Sequence, residues 1–332
     1  MAKYNYTKIC GALISDLPSR QKEIILRRFA LKPGAFEGET LEAIGEDFGI
    51  TRERVRQIEA DGLAGIREKI GKYKEVFSRF KKYFLNFGDL KKGETALSDL
   101  GGQKEKNQVA FLLEVSPDFE GSKEDDNFYS FWTISKEATG RAKNLVSSLS
   151  EALKKESRPL SFEELKKISQ NNPSALSQAV FLSYLEISKE IQKSKEGFWG
   201  LRSWPEINPR GIKDKIYLVF KKEQKPLHFT EISSRINGSL VQTVHNELIR
   251  DPRFVLIGRG IYALSDWGYE PGQVKDVILK IFQEAKQSLS RQEILALVQK
   301  QRLVKETTVF LNLGNKKYFS RNLQGKYFVN EA

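Results

Sequence analysis

Residues 40–70, TLEAIGEDFGITRERVRQIEADGLAGIREKI, carry the pattern on which the rest of the chain is placed. Thr40 is a good N-cap, and Leu41, Ile44 and Phe48 recur at helical spacing, so a short amphipathic helix is expected, ending at Gly49. Ile50 packs the turn and Thr51 caps a second helix. Val55, Ile58, Gly62, Ile66 and Ile70 form the buried stripe of that helix, with Leu63 at its edge. Glu53, Gln57 and Ala60 then face the other way, flanked by Arg52 and Arg56.

That outward face carries chemistry suited to DNA. An Arg fork matches the two major-groove acceptors of guanine, Gln pairs with adenine, and Glu accepts from the amino group of cytosine. All of these side chains lie in the first two turns, where a recognition helix meets base edges. Charge alone would be explained by a solvated helix face. The order helix, Gly turn, capped helix favours DNA.

The segment TLEAIGEDFGITRERVRQIEA resembles the fourth conserved region of housekeeping-type bacterial sigma factors, whose helix-turn-helix reads the minus-thirty-five promoter element. LPSRQKEIILRRF, residues 17–29, resembles the first half of that region, which in the family packs on the helix-turn-helix and meets the flap of the polymerase beta subunit. The resemblance implies base contacts for Arg52, Glu53, Arg56 and Gln57, and phosphate contacts for Arg54 and the helix start at Thr40 and Leu41. Where family members continue with a basic segment that meets activators, this chain has Asp61, Gly62, Ala64 and Gly65. The resemblance covers about a fifth of the chain. The aromatic-rich second region of a full sigma factor has no counterpart, so an accessory or regulatory role is expected rather than stand-alone initiation.

Composition agrees with a polyanionic partner. The 332 residues carry a formal net charge of +12, and the pI is near 9.4. Anionic membrane or ribosomal RNA would suit the same charge. The length allows two or three domains. A single cysteine, Cys10, excludes an internal disulfide framework and is expected in the core. With no signal-peptide pattern and no bilayer-length apolar run, the expected location is the cytoplasm, at the nucleoid.

Around the central stretch, NYTKICGALISDL (5–17) reads as a short helix, and Pro33, Gly34 and Gly38 mark a loop. The second helix of the pair is expected to run on past Ile70, with Tyr73, Phe77, Phe80 and Phe84 as a core stripe. Farther along, the sequence repeats. PLHFTEI at Pro226 is echoed by PLSFEEL at Pro159 and SLSRQEI at Ser288. Thr243, Leu248, Phe254, Gly260 and Tyr262 recur 65 residues on as Thr308, Leu313, Phe319, Gly325 and Tyr327. Leu185, Gly197, Trp199 and Trp204 recur 63 residues on as Leu248, Gly260, Tyr262 and Trp267.

Each copy reads as two helices followed by a β-hairpin turning at Gly, the order of a winged helix. The copy with TVHNELIRDPRF (243–254) and GRGIYALSDWG (258–268) resembles the HARE-HTH family, found in the delta subunit of bacterial RNA polymerase and in DNA-associated proteins. A further, divergent copy is read in VAFLLEVSPDF (109–119) and FYSFW (128–132), its turn replaced by the solvated acidic insert EGSKEDDN.

The expected fold is mainly α with small β-hairpin wings: a sigma region 4 helix-turn-helix (1–72) followed by tandem winged-helix domains. Their expected bounds are 73–138, 139–206, 210–268 and 271–330. Arg259 and Lys326 are candidate wing contacts to phosphate, whereas Trp199, Tyr262 and Tyr327 are expected in hairpin cores. His228 and His245 sit singly, and no metal, cofactor or catalytic constellation is found, so no enzyme activity is expected. The expected partners are double-stranded promoter DNA and the RNA polymerase core, through the beta flap. Two other readings stay open: a protein-binding scaffold that docks on polymerase, and a DNA-binding subunit of a DNA-processing enzyme.

Overall fold

The computed structural model describes residues 4–169 and 176–330. The chain is mostly helical with small antiparallel sheets. It divides into two compact units, Met1–Ser203 and Trp204–Ala332.

The first unit opens with α1 (Tyr6–Ile14), α2 (Ser19–Arg28), α3 (Leu41–Phe48) and α4 (Arg52–Arg67). Asn5 starts α1 by accepting from the Lys8 amide at 2.8 Å. The second helix of the central pair does not run on as its apolar spacing suggested. It stops at Arg67, a 3-10 turn over Ile70–Tyr73 intervenes, and a new helix begins. Gly71 lies in that turn, where its low helix propensity weakens continuation.

From there the unit holds two successive groups of elements. The first is α5 (Lys74–Asn86), β1 (Leu90–Lys92), α6 (Gly93–Gly101), α7 (Lys106–Val115), β2 (Glu120–Ser122) and β3 (Phe131–Thr133). The start of the acidic insert is therefore strand, with Glu120–Ser122 paired to β3. The second group is α8 (Lys136–Glu156), α9 (Phe162–Ser169), α10 (Gln178–Glu186), β4 (Ile191–Lys193) and β5 (Trp199–Leu201).

The second unit holds two more groups. One is α11 (Gly211–Glu223), β6 (Leu227–His228), α12 (Phe229–Ser234), α13 (Val241–Arg250), β7 (Phe254–Gly258) and β8 (Ile261–Leu264). The other is α14 (Val274–Ala285), α15 (Arg291–Gln301), α16 (Glu306–Leu313), β9 (Phe319–Arg321) and β10 (Tyr327–Val329).

All four groups share one topology. A leading helix ends, a short extended stretch crosses to the far strand of a hairpin, and two helices lie between. The crossing is a strand in two copies, giving sheet orders β1-β3-β2 and β6-β8-β7. In the other two it is a single bridge, Leu160 to Trp199 and Leu289 to Tyr327.

The leading helices α8, α11 and α14 end alike, on a non-glycine residue in the left-handed region: Ser157, Gln224 and Lys286. The amides of these residues bond to the carbonyls of Leu153, Phe220 and Phe282, at 2.9, 2.9 and 3.0 Å. The same chain reversal recurs where the last two turns of these helices bury the same pair: Leu149 and Leu153, Ile216 and Phe220, Ile278 and Phe282.

The first copy is welded to the N-terminal helices. Phe111, Leu112, Leu113 and Val115 of α7 share one core with Tyr6, Cys10 and Leu13 of α1 and Ile66 of α4. The Phe29 and Phe111 rings meet edge to face at 5.2 Å, and Arg67 Nε donates to the Val115 carbonyl at 3.0 Å, which caps the end of α7. The second copy docks on the first, with α10 against β1. Tyr184 donates its hydroxyl to the Gly88 carbonyl at 2.8 Å, and Lys91 pairs with Glu186 at 2.7 Å. Within the second unit, buried Arg302 donates to the carbonyls of Leu256, Glu270 and Gly272, and the Leu303 amide donates to the Ile257 carbonyl at 2.9 Å.

Candidate nucleic-acid interface

Two threonines start α3 and α4. Thr40 accepts from the Ala43 amide at 3.1 Å and Thr51 from the Arg54 amide at 3.2 Å, so each helix starts on its own cap. Between them Gly49 takes φ 61° and ψ 35°, the left-handed conformation that ends α3. Ile24 of α2, Ile44 of α3 and Val55 and Ile58 of α4 make a small closed core beneath the turn, bordered by Leu41, Phe48 and Ile50. Helix α2 crosses α4 closely at Gly62, where a Cβ would stand 2.8 Å from Ile25 Cδ1.

Ion pairs fix this pair of helices on α2. Arg27 bonds to both Glu39 and Asp47 across the start and end of α3, and Arg28 reaches Glu59 of α4 at 3.2 Å. Sequence reading passed over these arginines, because nothing in RR at the end of a helix says where the guanidinium groups go.

The outward face of α4 is open. Arg52, Glu53, Arg54, Arg56 and Gln57 are all exposed, as is Ala60. Their side chains are organised in two pairs one turn apart. Arg56 forks onto Glu53, with Nη2 2.7 Å from Oε1, and Arg54 donates to Gln57 Oε1 at 3.0 Å. The hydrogen bond from Arg56 holds the Glu53 carboxyl below its ordinary value. Thus Arg54, implied as a phosphate contact, shares a hydrogen bond with Gln57, implied as a base contact. At the other end of α3, Thr40 is exposed and Leu41 half-buried at the helix N-terminus, where free amides favour a phosphate.

Residues 13–68 match the family description "Sigma-70, region 4". This part of the chain is a sigma-70 region 4 domain. The RNA polymerase sigma factor RpoS of Coxiella burnetii is 44% identical over 54 residues, which is 16% of this chain and 15% of that protein. The chain therefore spans a small fraction of the length of this relative. Region 4 is a DNA-binding domain of RNA polymerase sigma factors, and the exposed face of α4 belongs to it.

The other candidates lie outside that domain. Arg259 and Lys326 are exposed at the hairpin turns of the third and fourth copies. Tyr262 and Trp199 are buried, and Tyr327 is half-buried. The two histidines share a partner: Phe229 lies 4.5 Å from each of the His228 and His245 rings, and His228 also caps α12. Cys10 is buried, and desolvation pushes its thiol far above the ordinary range, so it sits as a core residue. Among the described residues, no cluster of His, Cys, Asp and Glu could hold a metal ion, and no helix is long and apolar enough to cross a membrane.

Proposed function

We propose that this protein is an accessory or regulatory DNA-binding transcription factor that reads promoter DNA through its region 4 domain and associates with RNA polymerase at the nucleoid. One observation carries the reading: Arg52, Glu53, Arg54, Arg56 and Gln57 all stand exposed on one helix, four of them joined in two hydrogen-bonded pairs. Arg52, Glu53, Arg56 and Gln57 read base edges, while Arg54 and the start of α3 at Thr40 and Leu41 hold phosphates. No step of this function is catalytic.

The four repeated groups are tandem winged helices, the third of the HARE-HTH type, within the bounds 73–138, 139–206, 210–268 and 271–330. Support for this lies in their common order of helix, crossing strand, two helices and hairpin. A winged helix that binds DNA presents its last helix to the groove. In the first copy that helix, α7, is buried against α1 and α4, and in the second α10 lies on β1. These two copies act as docking and spacing elements, which is the scaffold reading confined to half of the repeats.

RNA polymerase core is the proposed protein partner. The resemblance assigns the beta flap to residues 17–29, yet Phe29 of that stretch already meets Phe111 of α7, and Ile25 is buried in the same core. A flap contact there uses the outward side of α2, or α7 must leave.

Mapping bound DNA across the genome in parallel with polymerase tests the proposal. Coincident peaks at promoters over a common minus-thirty-five-like sequence are expected. Peaks spread without sequence preference and away from polymerase would contradict it.

A further inference from the structure

The four hairpins have one topology and very different charge. In the first copy the segment between the strands carries Glu124, Asp125 and Asp126 against Lys123, and it is occupied within the chain. Lys189 pairs with Glu124 at 2.7 Å and donates to the Asp125 carbonyl at 2.7 Å, while the Tyr129 amide bonds to Ile187. The second hairpin carries Lys193, Lys195 and Glu196, and the third only Arg259.

The fourth is the opposite extreme. Between Glu306 and Glu331 the sequence contains no acidic residue, its longest such run, and Lys316, Lys317, Arg321 and Lys326 all fall within it. All four are exposed. Among the described residues none of them lies within ion-pair distance of a carboxylate. Glu293 is the acid whose field Lys326 reaches, and that carboxylate is bonded to the Ser290 amide at 2.7 Å in the cap of α15.

The cations stand on a fixed frame. Asn322 and Lys326 close the hairpin turn through bonds of 2.8 and 2.9 Å, and Arg321 donates across it to the Gly325 carbonyl at 2.9 Å. Asn330 ties the lysine pair to the same hairpin, donating to the Lys316 carbonyl at 2.7 Å and, from its amide, to the Tyr318 carbonyl at 2.9 Å. Exposed cations that pair with no carboxylate among the described residues gain little for stability, and a cluster of them held on a fixed frame suits a repeating anion.

We infer that the β9–β10 hairpin, with Lys316, Lys317, Arg321 and Lys326, is a second nucleic-acid contact that grips the phosphates of duplex DNA without reading sequence. It rests on the proposed DNA-binding role only in its choice of duplex DNA. Joined in one chain to a domain that reads few bases, such a grip raises overall affinity by effective concentration. Its signature is salt dependence, since each neutralised phosphate adds about 0.9 to the slope of log affinity against log salt.

The test uses the full chain and a duplex of random sequence. The variant K316Q/K317Q/K326Q spares Arg321, whose bond to Gly325 shapes the turn, and K316R/K317R/K326R keeps the charge. A salt slope shallower by about two to three for the first, restored in the second, with both variants melting like the parent, is expected. An unchanged slope would overturn the inference. So would tighter parental binding to single-stranded RNA than to duplex, or loss of polymerase co-purification with DNA affinity intact. Repeating the slopes in an Arg56→Ala, Gln57→Ala background separates the two proposals. The lysine effect persists there if the hairpin acts alone, whereas the region 4 reading fails only if the parent shows no sequence preference.

Discussion

Helices α4 and α7 belong to the same unit and have opposite fates. Each follows another helix through a short connection, and they touch at Arg67. Helix α4 turns Arg52, Glu53, Arg56 and Gln57 to solvent, whereas α7 has Phe111, Leu112 and Val115 in that role and loses all of them to the core. The topology offers a reading helix at each place. Side-chain chemistry decides which one is left free to read and which one serves as a wall for its neighbour.

The largest expected effect breaks the wall. Phe111→Ala empties a fully buried ring site between α7 and the N-terminal helices and is expected to cost about 3–5 kcal/mol. Denaturant unfolding measures it, and a loss within the range of a surface substitution would mean that α7 is not held as described. A smaller effect is expected at the cap of the reading helix. Thr51→Ala removes the acceptor for the Arg54 amide and should cost about 1 kcal/mol, with Thr51→Ser close to the parent.

Binding then sharpens the contrast without touching the fold. Arg54→Ala is expected to weaken binding to all duplexes alike and to lower the salt slope by about one, as a phosphate contact does. Titration of the variant on promoter and random duplexes at several salt concentrations checks this, and loss confined to one sequence would move Arg54 into base readout.

The smallest effect concerns acid. Glu164 accepts from the Ser161 amide and hydroxyl and from Arg158, which hold its carboxyl down to about 2. Because the folded value lies below the unfolded one, this contribution is present above the ordinary carboxylate range and fades as pH falls toward 2. The carboxylate faces solvent, so the effect is modest. Unfolding midpoints of the parent and Glu164→Gln should differ at neutral pH and converge in that acid window.

The helix-turn-helix was legible because its punctuation is local. Thr40, Gly49 and Thr51 each act within four residues, and the apolar spacing from Leu41 to Ile66 has one period on either side of the turn. The repeats were legible where aromatic and glycine positions recur, as at Gly260 and Gly325. Their leading helices were not. Nothing at Gln224 or Lys286 announces a left-handed cap, since glycine is the usual signal there, and it is the buried pair before each residue and the extended crossing after it that go with the reversal.

A trace of those helices was present all the same. Phe220, Phe282 and Leu153 each stand seven residues ahead of Leu227, Leu289 and Leu160, which share the crossing position. The closure of α7 was illegible for a different reason. Its apolar run fits a fully buried helix, but only the assembled unit shows that α1 and α4 are what bury it.

The central claim is that the exposed face of α4 reads bases, and the ratio of affinities for promoter and random duplexes tests it most directly. For Arg56→Ala combined with Gln57→Ala, with folding verified by an unchanged melting curve, the account predicts that promoter affinity falls toward the random-duplex value, by about 1–3 kcal/mol for each lost contact. Equal loss on both duplexes, with the ratio preserved, would contradict it.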